Sequence, residues 1–451
     1  GDPNNIYVAV SDGEDATGGA WTGFSFVGDT IDGNRFNDFD TLGIDADGLF
    51  ISTNNFGVGF DVSIYSIPKA DLLLATPTIA NLSRFENLDA ATFGSAIQGA
   101  VDFGTSDGRS VMLSASGSGR ITRTDVLGAD AAGATLSVPV DIVVPAYAAA
   151  PQARQPGPDD IIENVSPRIN SNVVEVGDSL WAVHAVLDPT FGGSAIRWYE
   201  FDETDNSTNA LLQTGLINDP NLDFYDASIA VNAAGDVVIG FSGSGDTQPI
   251  SAYAVSGSTT AGVTTFVLPQ VTHQGTGTYD VDFGSGRVRW GDYSAVVVDP
   301  ADSDTFWSFQ QFVSSTDIWS IQISELQIGA GEEDLVVSIA APAIIDEFVD
   351  STTATVTRTG DLTGDLVVTL NSSDFGEAAF DFTLAPVTVT IPDMQASATF
   401  NIFGINDLIA DGTQTVFITA SAPGFNSVSD SLDVRDNETP TLIVQVNPGS
   451  V

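Results

Sequence analysis

Residues 227–242, ASIAVNAAGDVVIGFS, carry the pattern that decides the fold. An apolar run meets a short turn of Asn, Gly and Asp, and a second apolar run follows. β-Branched and aromatic residues favour strands, and the Gly-Asp pair supplies the positive-φ position that a tight connection needs. Helical periodicity is almost absent from the chain. The pattern therefore predicts an antiparallel hairpin within an all-β protein.

The same hairpin pattern recurs through the first 327 residues. Its copies lie at residues 42–53, 99–116, 171–186, 227–242 and 293–312. Their second strands begin roughly 57 to 69 residues apart, a spacing that suits the blades of a β-propeller. Residues 6–26 look like outer strands of an incomplete first blade. We predict a β-propeller over residues 1–327, with six blades favoured and five or seven left open. A stacked array of β-sandwiches is the alternative.

Composition restricts the possible partners. The chain of 451 residues has 60 acidic and 13 basic residues, a net charge of −47, and a single lysine, Lys69. Nucleic acid is excluded as a partner because phosphate binding requires many lysines and arginines. Such a charge repels itself unless high salt or divalent cations screen it. Calcium is the natural candidate, and an acidic surface kept for solubility alone is the alternative.

The chain has no cysteine, which excludes thiolate metal sites, redox chemistry and disulfides. It also has no uninterrupted run of 18 apolar residues, so we expect no transmembrane segment. A signal peptide and an initiator methionine are both lacking. We expect the chain to be a processed piece of a longer precursor.

Composition changes after the propeller repeats. We predict a linker over residues 328–335, a second domain over residues 336–438, and the start of a further module or a tail over residues 439–451. The second domain contains VTRTGDLTGDLVVTLNSSD (residues 356–374), DGTQTVFITASAPGF (residues 411–425) and the closing VRDNE (residues 434–438). Together with the acidic opener at residues 344–347, these pieces resemble a Calx-beta domain.

The Calx-beta resemblance implies an immunoglobulin-like β-sandwich that binds Ca²⁺ at one end. Calcium takes six to eight oxygen ligands drawn from several loops. By motif position the implied ligands are Glu347, Asp374, Asp407, Asp411 and Asp436. Asp346 and Asn406 could assist, although related modules often have a second Asp in place of Asn406. The alternative is that these acids only stabilise turns.

A second group of polar residues lies at the starts of the predicted inner strands of the propeller. The stretches are FDTLG, RINSN, YDASI and RWGDYS. Because inner strands line the central channel, their starts surround one mouth. We therefore expect a ligand-binding site built from Asp40, Asn170, Asp226, Asp292 and Trp290. The alternative is that each acid satisfies backbone donors at a strand start.

The N-terminal part also resembles the sialidase-like β-propellers of large secreted bacterial proteins. Residues 11–21, SDGEDATGGAW, look loosely like the Asp-box turn of that fold. Its enzymes use three arginines and a Tyr–Glu pair, and none of the corresponding residue types here stands in a recognisable motif: Arg168, Arg197, Arg287, Arg289, Tyr199, Glu200 and Tyr293. We expect no sialidase activity. The catalytic candidates are His184, Arg289 and Tyr293, and strand alternation favours a packing role for His184.

These observations favour a non-enzymatic role. We expect an extracellular, calcium-binding, multidomain protein of a bacterial surface or matrix, with an adhesive or assembly function. Its partners would be calcium and either a polysaccharide or neighbouring copies of the surface protein. The rival hypothesis is a carbohydrate-active enzyme, of the polysaccharide lyase or glycosidase type, or a glycan-binding propeller with a Calx-beta accessory module.

Overall fold

A computed structural model describes residues 4–13, 17, 19–31, 35–157, 161–164, 167–282, 288–328, 335–341, 343–348, 350–359, 362, 364–380, 382–383, 385–406, 409–422, 425 and 427–438. Two compact units divide the chain, Gly1–Gln327 and Ile328–Val451. Most of the predicted linker and all of residues 439–451 lie outside the described residues. The described elements are nearly all strands, which confirms the all-β prediction.

The first unit opens with a separate hairpin and continues with four-stranded and five-stranded meanders. The hairpin is β1 (Asn5–Ser11) with β2 (Trp21–Val27). The first meander is β3 (Phe36–Ile44), β4 (Gly48–Gly57), β5 (Gly59–Pro68) and β6 (Ser83–Leu88), with helices α1 (Lys69–Leu72) and α2 (Ala90–Phe93) at its edge. The second meander is β7 (Gln98–Val101), β8 (Arg109–Ala115), β9 (Arg120–Leu127), β10 (Thr135–Leu136) and β11 (Val140–Val143).

Three further meanders complete the described part of this unit, after a short pair of strands, β12 (Ala153–Arg154) and β13 (Ile161–Ile162). The third is β14 (Val173–Val176), β15 (Ser179–Leu187), β16 (Ser194–Asp202) and β17 (Leu211–Ile217). The fourth is β18 (Asp223–Val231), β19 (Asp236–Gly245), β20 (Gln248–Thr260), β21 (Val263–Phe266) and β22 (Gln270–His273). The fifth is β23 (Ala295–Val298), β24 (Thr305–Ser315) and β25 (Ile318–Gln327).

The meanders are arranged about their first strands, as in a propeller. β7 pairs in parallel with both β3 and β14, so the first three meanders join at their inner edges. The first and fifth meanders meet where the rings of Phe39 and Tyr293 stack with centroids 5.4 Å apart. The described residues of the first unit form five meanders, one separate hairpin and the short β12–β13 pair, so the favoured count of six blades stays a prediction.

Burial explains why the repeats read as continuous apolar runs. Every residue of β18 is buried, and so are nine of the ten residues of β19. A strand packed on both faces needs apolar or hydrogen-bonded side chains at every position, so alternation is lost. The largest core cluster joins the third and fourth meanders through Trp181, Trp198, Phe224 and Phe241.

The second unit is a sandwich of two sheets. One sheet contains β26 (Leu335–Ile339), β28 (Ser351–Arg358), β32 (Ser397–Gly404) and β30 (Ala378–Ala379). The other contains β27 (Ile344–Asp346), β34 (Val428–Arg435), β33 (Gln414–Ser421), β29 (Leu366–Ser372) and β31 (Val387–Ile391). Strands such as β26 and β29 alternate buried and exposed residues, and the inward side chains of both sheets form one core.

The helices of the described residues are two four-residue segments. Neither is long or apolar enough to cross a membrane.

Glu175, at the end of β14, gives the first unit a pH-dependent stability. Burial, reinforced by the negative charges of Asp102 and Glu203, raises the pKa of this carboxyl from 4.5 to about 8. The folded chain therefore holds a proton that the unfolded chain has released. This contribution to stability is complete below about pH 4.5 and is lost as the pH rises through 8.

Glu175→Gln is expected to flatten this part of the pH profile, because glutamine has no proton to lose. The measurement is the free energy of unfolding of both chains by denaturant between pH 5 and pH 8.5. Parallel profiles for the two chains would show that Glu175 does not titrate in this range.

Candidate functional site

A pocket of about 430 Å³ lies at one end of the sandwich. It is lined by Asp346, Glu347, Phe348, Asn406, Arg435, Asp436 and Asn437. Strand pairing creates it: β27 runs parallel to β34, with Asp346 beside Arg435. The chain segments that follow these two strands therefore emerge side by side at the same end. Glu347 and Asn437, 90 positions apart in sequence, meet here as a result.

Three carboxylates converge at this pocket. One ligand oxygen from each of Glu347, Asp436 and Glu438 lies within 4.8 Å of the others. Glu347 is only 1% exposed, and its backbone N–H donates to the carbonyl of Arg435 at 3.1 Å. Carboxylates this close repel one another, and burial increases the cost of keeping Glu347 ionised. A bound cation removes both costs.

Backbone donors hold Asp436 in place. The N–H of Gly412 donates to Oδ2 of Asp436 at 2.8 Å, and the N–H of Glu438 donates to Oδ1 at 2.5 Å. These hydrogen bonds lower the pKa of Asp436, so its carboxylate stays ionised. Gly412 has φ +86°, a conformation that glycine adopts without strain.

The other predicted calcium ligands fall in different places. Asp346 and Asn406 line the pocket, and Asp411 precedes the glycine that donates to Asp436. Asp374 accepts from the N–H of Gly376 at 2.8 Å in the turn after β29, outside the group of three carboxylates. Asp407 lies outside the described residues. Glu438 was missed, although it belongs to the VRDNE motif.

The second candidate site lies at the starts of the inner strands of the first unit. Phe39 and Asp226 have φ of 54° and 52°, at irregularities in the pairing of β3 and β18, and Asp292 has φ 106°. Three of the four predicted strand starts thus have a positive φ at the acid or at the residue directly before it. Asn170 donates from Nδ2 to Oδ1 of Asp226 at 3.4 Å, and the hydroxyl of Ser294 donates to the Asp226 carbonyl at 2.8 Å.

Gly291 is required beside Asp226. It has φ +76°, and a Cβ added to it would lie 2.1 Å from Oδ2 of Asp226. Gly291→Ala is expected to destabilise the chain by about 1–3 kcal/mol more than Gly262→Ala, because both variants carry the backbone strain and only Gly291→Ala adds a steric clash. Gly262 is the matched control, with the same φ of +76° and no atom near its Cβ position. Equal costs in urea unfolding would contradict the assigned clash.

An aromatic pair borders this site. Tyr293 is 53% exposed and stacks on the buried ring of Phe39, with the guanidinium of Arg168 5.5 Å from the Phe39 centroid. Partial burial and the charges of Asp40 and Asp292 raise the pKa of Tyr293 to about 12, so its hydroxyl stays protonated. The structure thus brings Asp40 and Asp292 near the same tyrosine.

Arg289 is the remaining charged residue of this second candidate site. It donates from Nη2 to both carboxylate oxygens of Asp292, at 3.1 and 3.2 Å. Burial raises the pKa of Asp292, while Arg289 and Arg168 oppose that rise. The site therefore combines carboxylates, a paired arginine and an exposed aromatic ring.

Two predicted residues lie in the core instead. Trp290 is 5% exposed, donates to the hydroxyl of Ser242 at 3.2 Å and packs against Tyr279, so it offers no surface for a sugar. His184 is fully buried between the Pro167 carbonyl (2.7 Å) and the Tyr199 hydroxyl (2.9 Å). Burial lowers its pKa to about 4, so it stays neutral, as suits the packing role expected for it.

Neither a protein-family model nor a curated protein sequence matches the chain. Among solved structures, it is similar to the apo form of the Calx CBD1 domain, at 16% identity and a TM-score of 0.18, over 23% of this chain and 98% of that one. A subtype N10 neuraminidase-like protein of A/little yellow-shouldered bat/Guatemala/060/2010 shares 9% identity at a TM-score of 0.31, over 89% of this chain and 96% of that one.

A bifunctional GH43-CE protein of Bacteroides eggerthii shares 10% identity at a TM-score of 0.32, over 90% of this chain and 53% of that one. With TM-scores this low, none of these similarities determines a function for this chain.

Proposed function

We propose that this chain is a calcium-binding protein of a bacterial surface or extracellular matrix, with an adhesive or assembly role and no catalytic activity. Calcium would hold together the loops at one end of the second unit. The observation that carries this proposal is the convergence of the buried Glu347 with Asp436 and Glu438.

The donor chemistry of the pocket fits calcium. Ca²⁺ prefers carboxylate and amide oxygens, and three carboxylates lie beside the side chains of Asn406 and Asn437. No cysteine exists and neither histidine lies in this unit, so the softer ligands that favour zinc or copper are lacking. Calcium modules of extracellular proteins bind with a Kd of about 10⁻⁴–10⁻³ M, which agrees with a site open to solvent.

Isothermal titration calorimetry of calcium into the chelator-treated chain tests the proposal. Asp436→Asn is expected to weaken binding at least about tenfold, because a ligand charge is lost. Asp393→Asn is the matched control, since Asp393 is exposed and its oxygen accepts from Gly364 in a different turn. No binding by the unmodified chain, or equal affinity in both variants, would refute calcium binding in this pocket.

A second candidate function is glycan binding at the inner-strand starts, supported by the half-exposed Tyr293. An exposed aromatic ring offers the apolar face of a sugar a flat surface, and Asp40 and Asp292 could accept hydrogen bonds from sugar hydroxyls. On this hypothesis, Tyr293→Ala and Arg289→Ala abolish retention by an immobilised polysaccharide. Tyr7→Ala is the control, because Tyr7 is 76% exposed on β1 and lies outside this site.

A screen against acidic and neutral polysaccharides distinguishes binding from turnover. Retention that Tyr293→Ala removes, without release of products, favours the glycan-binding role. Turnover that depends on Arg289 would favour a carbohydrate-active enzyme and contradict the non-enzymatic proposal.

A further inference from the structure

The outer strand of the fifth meander differs from its counterparts in the first unit. In each of the first four meanders, at least one further strand follows the third: β6, β10 with β11, β17, or β21 with β22. In the described part of the chain, β25 (Ile318–Gln327) pairs only with β24. Within the described residues, its second edge therefore presents the backbone N–H and C=O groups of every second residue along a ten-residue strand.

Most features that keep such an edge from pairing are lacking in β25. Proline, lysine and inward-pointing charges commonly block edge strands, but the sequence IWSIQISELQ contains only one charged residue, Glu325. Trp319, Ile321 and Ile323 share one face and are 51%, 53% and 54% exposed. An edge this long and apolar is a template for a further strand.

The sequence of β25 indicates which strand that is. Residues 320–324 read SIQIS, a palindrome centred on Gln322. If two copies of β25 pair antiparallel about a two-fold axis at Gln322, Ile321 of each copy lies opposite Ile323 of the other. Ser320 then lies opposite Ser324, and the two Gln322 side chains face each other. Such self-complementarity is what an isologous interface requires.

Charge opposes pairing less at this edge than elsewhere on the surface. Two copies with a net charge of −47 repel each other over most of their surfaces. Along β25 each copy contributes only Glu325, and in the palindromic register Glu325 lies opposite Trp319 of the other copy. No two carboxylates of this strand are therefore brought face to face.

We infer that β25 is an interface between two copies of this chain, paired antiparallel about Gln322. The fifth meanders of the two copies become one continuous six-stranded sheet, with four isoleucines side by side on one face and a tryptophan at each end. Gln322, whose amide now donates to the Ile323 carbonyl of its own strand at 2.8 Å, turns to its counterpart in the second copy.

Introduced thiols test this interface directly, because the chain has no cysteine of its own. Directly opposite residues of an antiparallel pair are close enough for a disulfide. In a glutathione buffer, full-length Gln322→Cys is expected to form a linked dimer at least about tenfold faster than Val58→Cys, since pairing raises the effective thiol concentration. Val58 is 92% exposed in the β4–β5 turn and serves as the matched control.

The register is tested by mixing variants. Ser320→Cys and Ser324→Cys are expected to link to each other when mixed and not to link when alone. Light scattering in about 0.5 M NaCl, where exposed charges are largely screened, is expected to give a dimer that Ile323→Lys dissociates and Tyr7→Lys does not. A monomer at all concentrations, rapid linking of Ser320→Cys to itself, or equal rates for Gln322→Cys and Val58→Cys would overturn the inference.

Discussion

Calcium is expected to raise the melting temperature of the second unit, and Glu347→Gln is expected to abolish that rise. A ligand that binds only the folded state at 100 times its Kd stabilises it by about 2.7 kcal/mol. For a domain of about 100 residues, each kcal/mol corresponds to about 4–8 °C, so the shift is roughly 10 to 20 °C. Differential scanning calorimetry of the chain in calcium and in EDTA measures it.

Because Glu347 is buried, Glu347→Gln is expected to change the stability of the second unit in opposite directions in EDTA and in calcium. In EDTA, Glu347→Gln removes one of three closely spaced negative charges and should leave the second unit at least as stable as before. In calcium, the same variant is less stable than the unmodified chain. Asp393→Asn, outside the pocket, should follow the unmodified chain in both conditions. A calcium shift that survives in Glu347→Gln would place the ion elsewhere.

Arg123→Ala is expected to cause the largest loss of stability in the first unit. Arg123 is fully buried in β9, where it pairs with Asp125 at 2.8 Å and with Glu203 at 3.0 Å. Removing one member of a buried ion pair costs about 3–5 kcal/mol because the remaining carboxylates stay buried without their partner. Glu203 keeps Arg109 at 3.1 Å, so we expect the lower end of that range.

Arg120→Ala provides the comparison from the same strand. Arg120 pairs with Asp141 at 2.7 Å, but both side chains are solvent-exposed, at 52% and 39%. Exposed pairs contribute about 0–1 kcal/mol because solvent screens them. Urea unfolding of both variants measures the difference. If Arg120→Ala costs as much as Arg123→Ala, burial is not the cause.

Local chemistry made much of the fold predictable. The repeated turns with Asp and Gly between apolar runs mark the inner hairpins, and these hairpins form at residues 42–53, 171–186 and 227–242. Turn residues and strand propensity act over a few positions, so they can be recognised in the sequence directly. The number of blades depends on how distant sheets pack, and no local signal encodes that.

Some site residues could likewise be predicted from the sequence, and others could not. The motif resemblance placed Glu347 and Asp436 in the second unit, and the structure brings their oxygens together. Glu438 has no distinguishing feature in the sequence, but after β34 its N–H donates to Asp436, and its carboxylate lies in the same group of three. Trp290 lies within the polar motif RWGDYS, yet its side chain donates to Ser242, 48 residues away in sequence. Such partners cannot be deduced from neighbouring residues.

A structure of the chain crystallised in millimolar calcium would test the central proposal most directly. The account predicts one ion in contact with the carboxylates of Glu347, Asp436 and Glu438, with six to eight oxygen ligands at about 2.3–2.6 Å. A pocket that contains only water under those conditions, with its carboxylates turned apart, would contradict it.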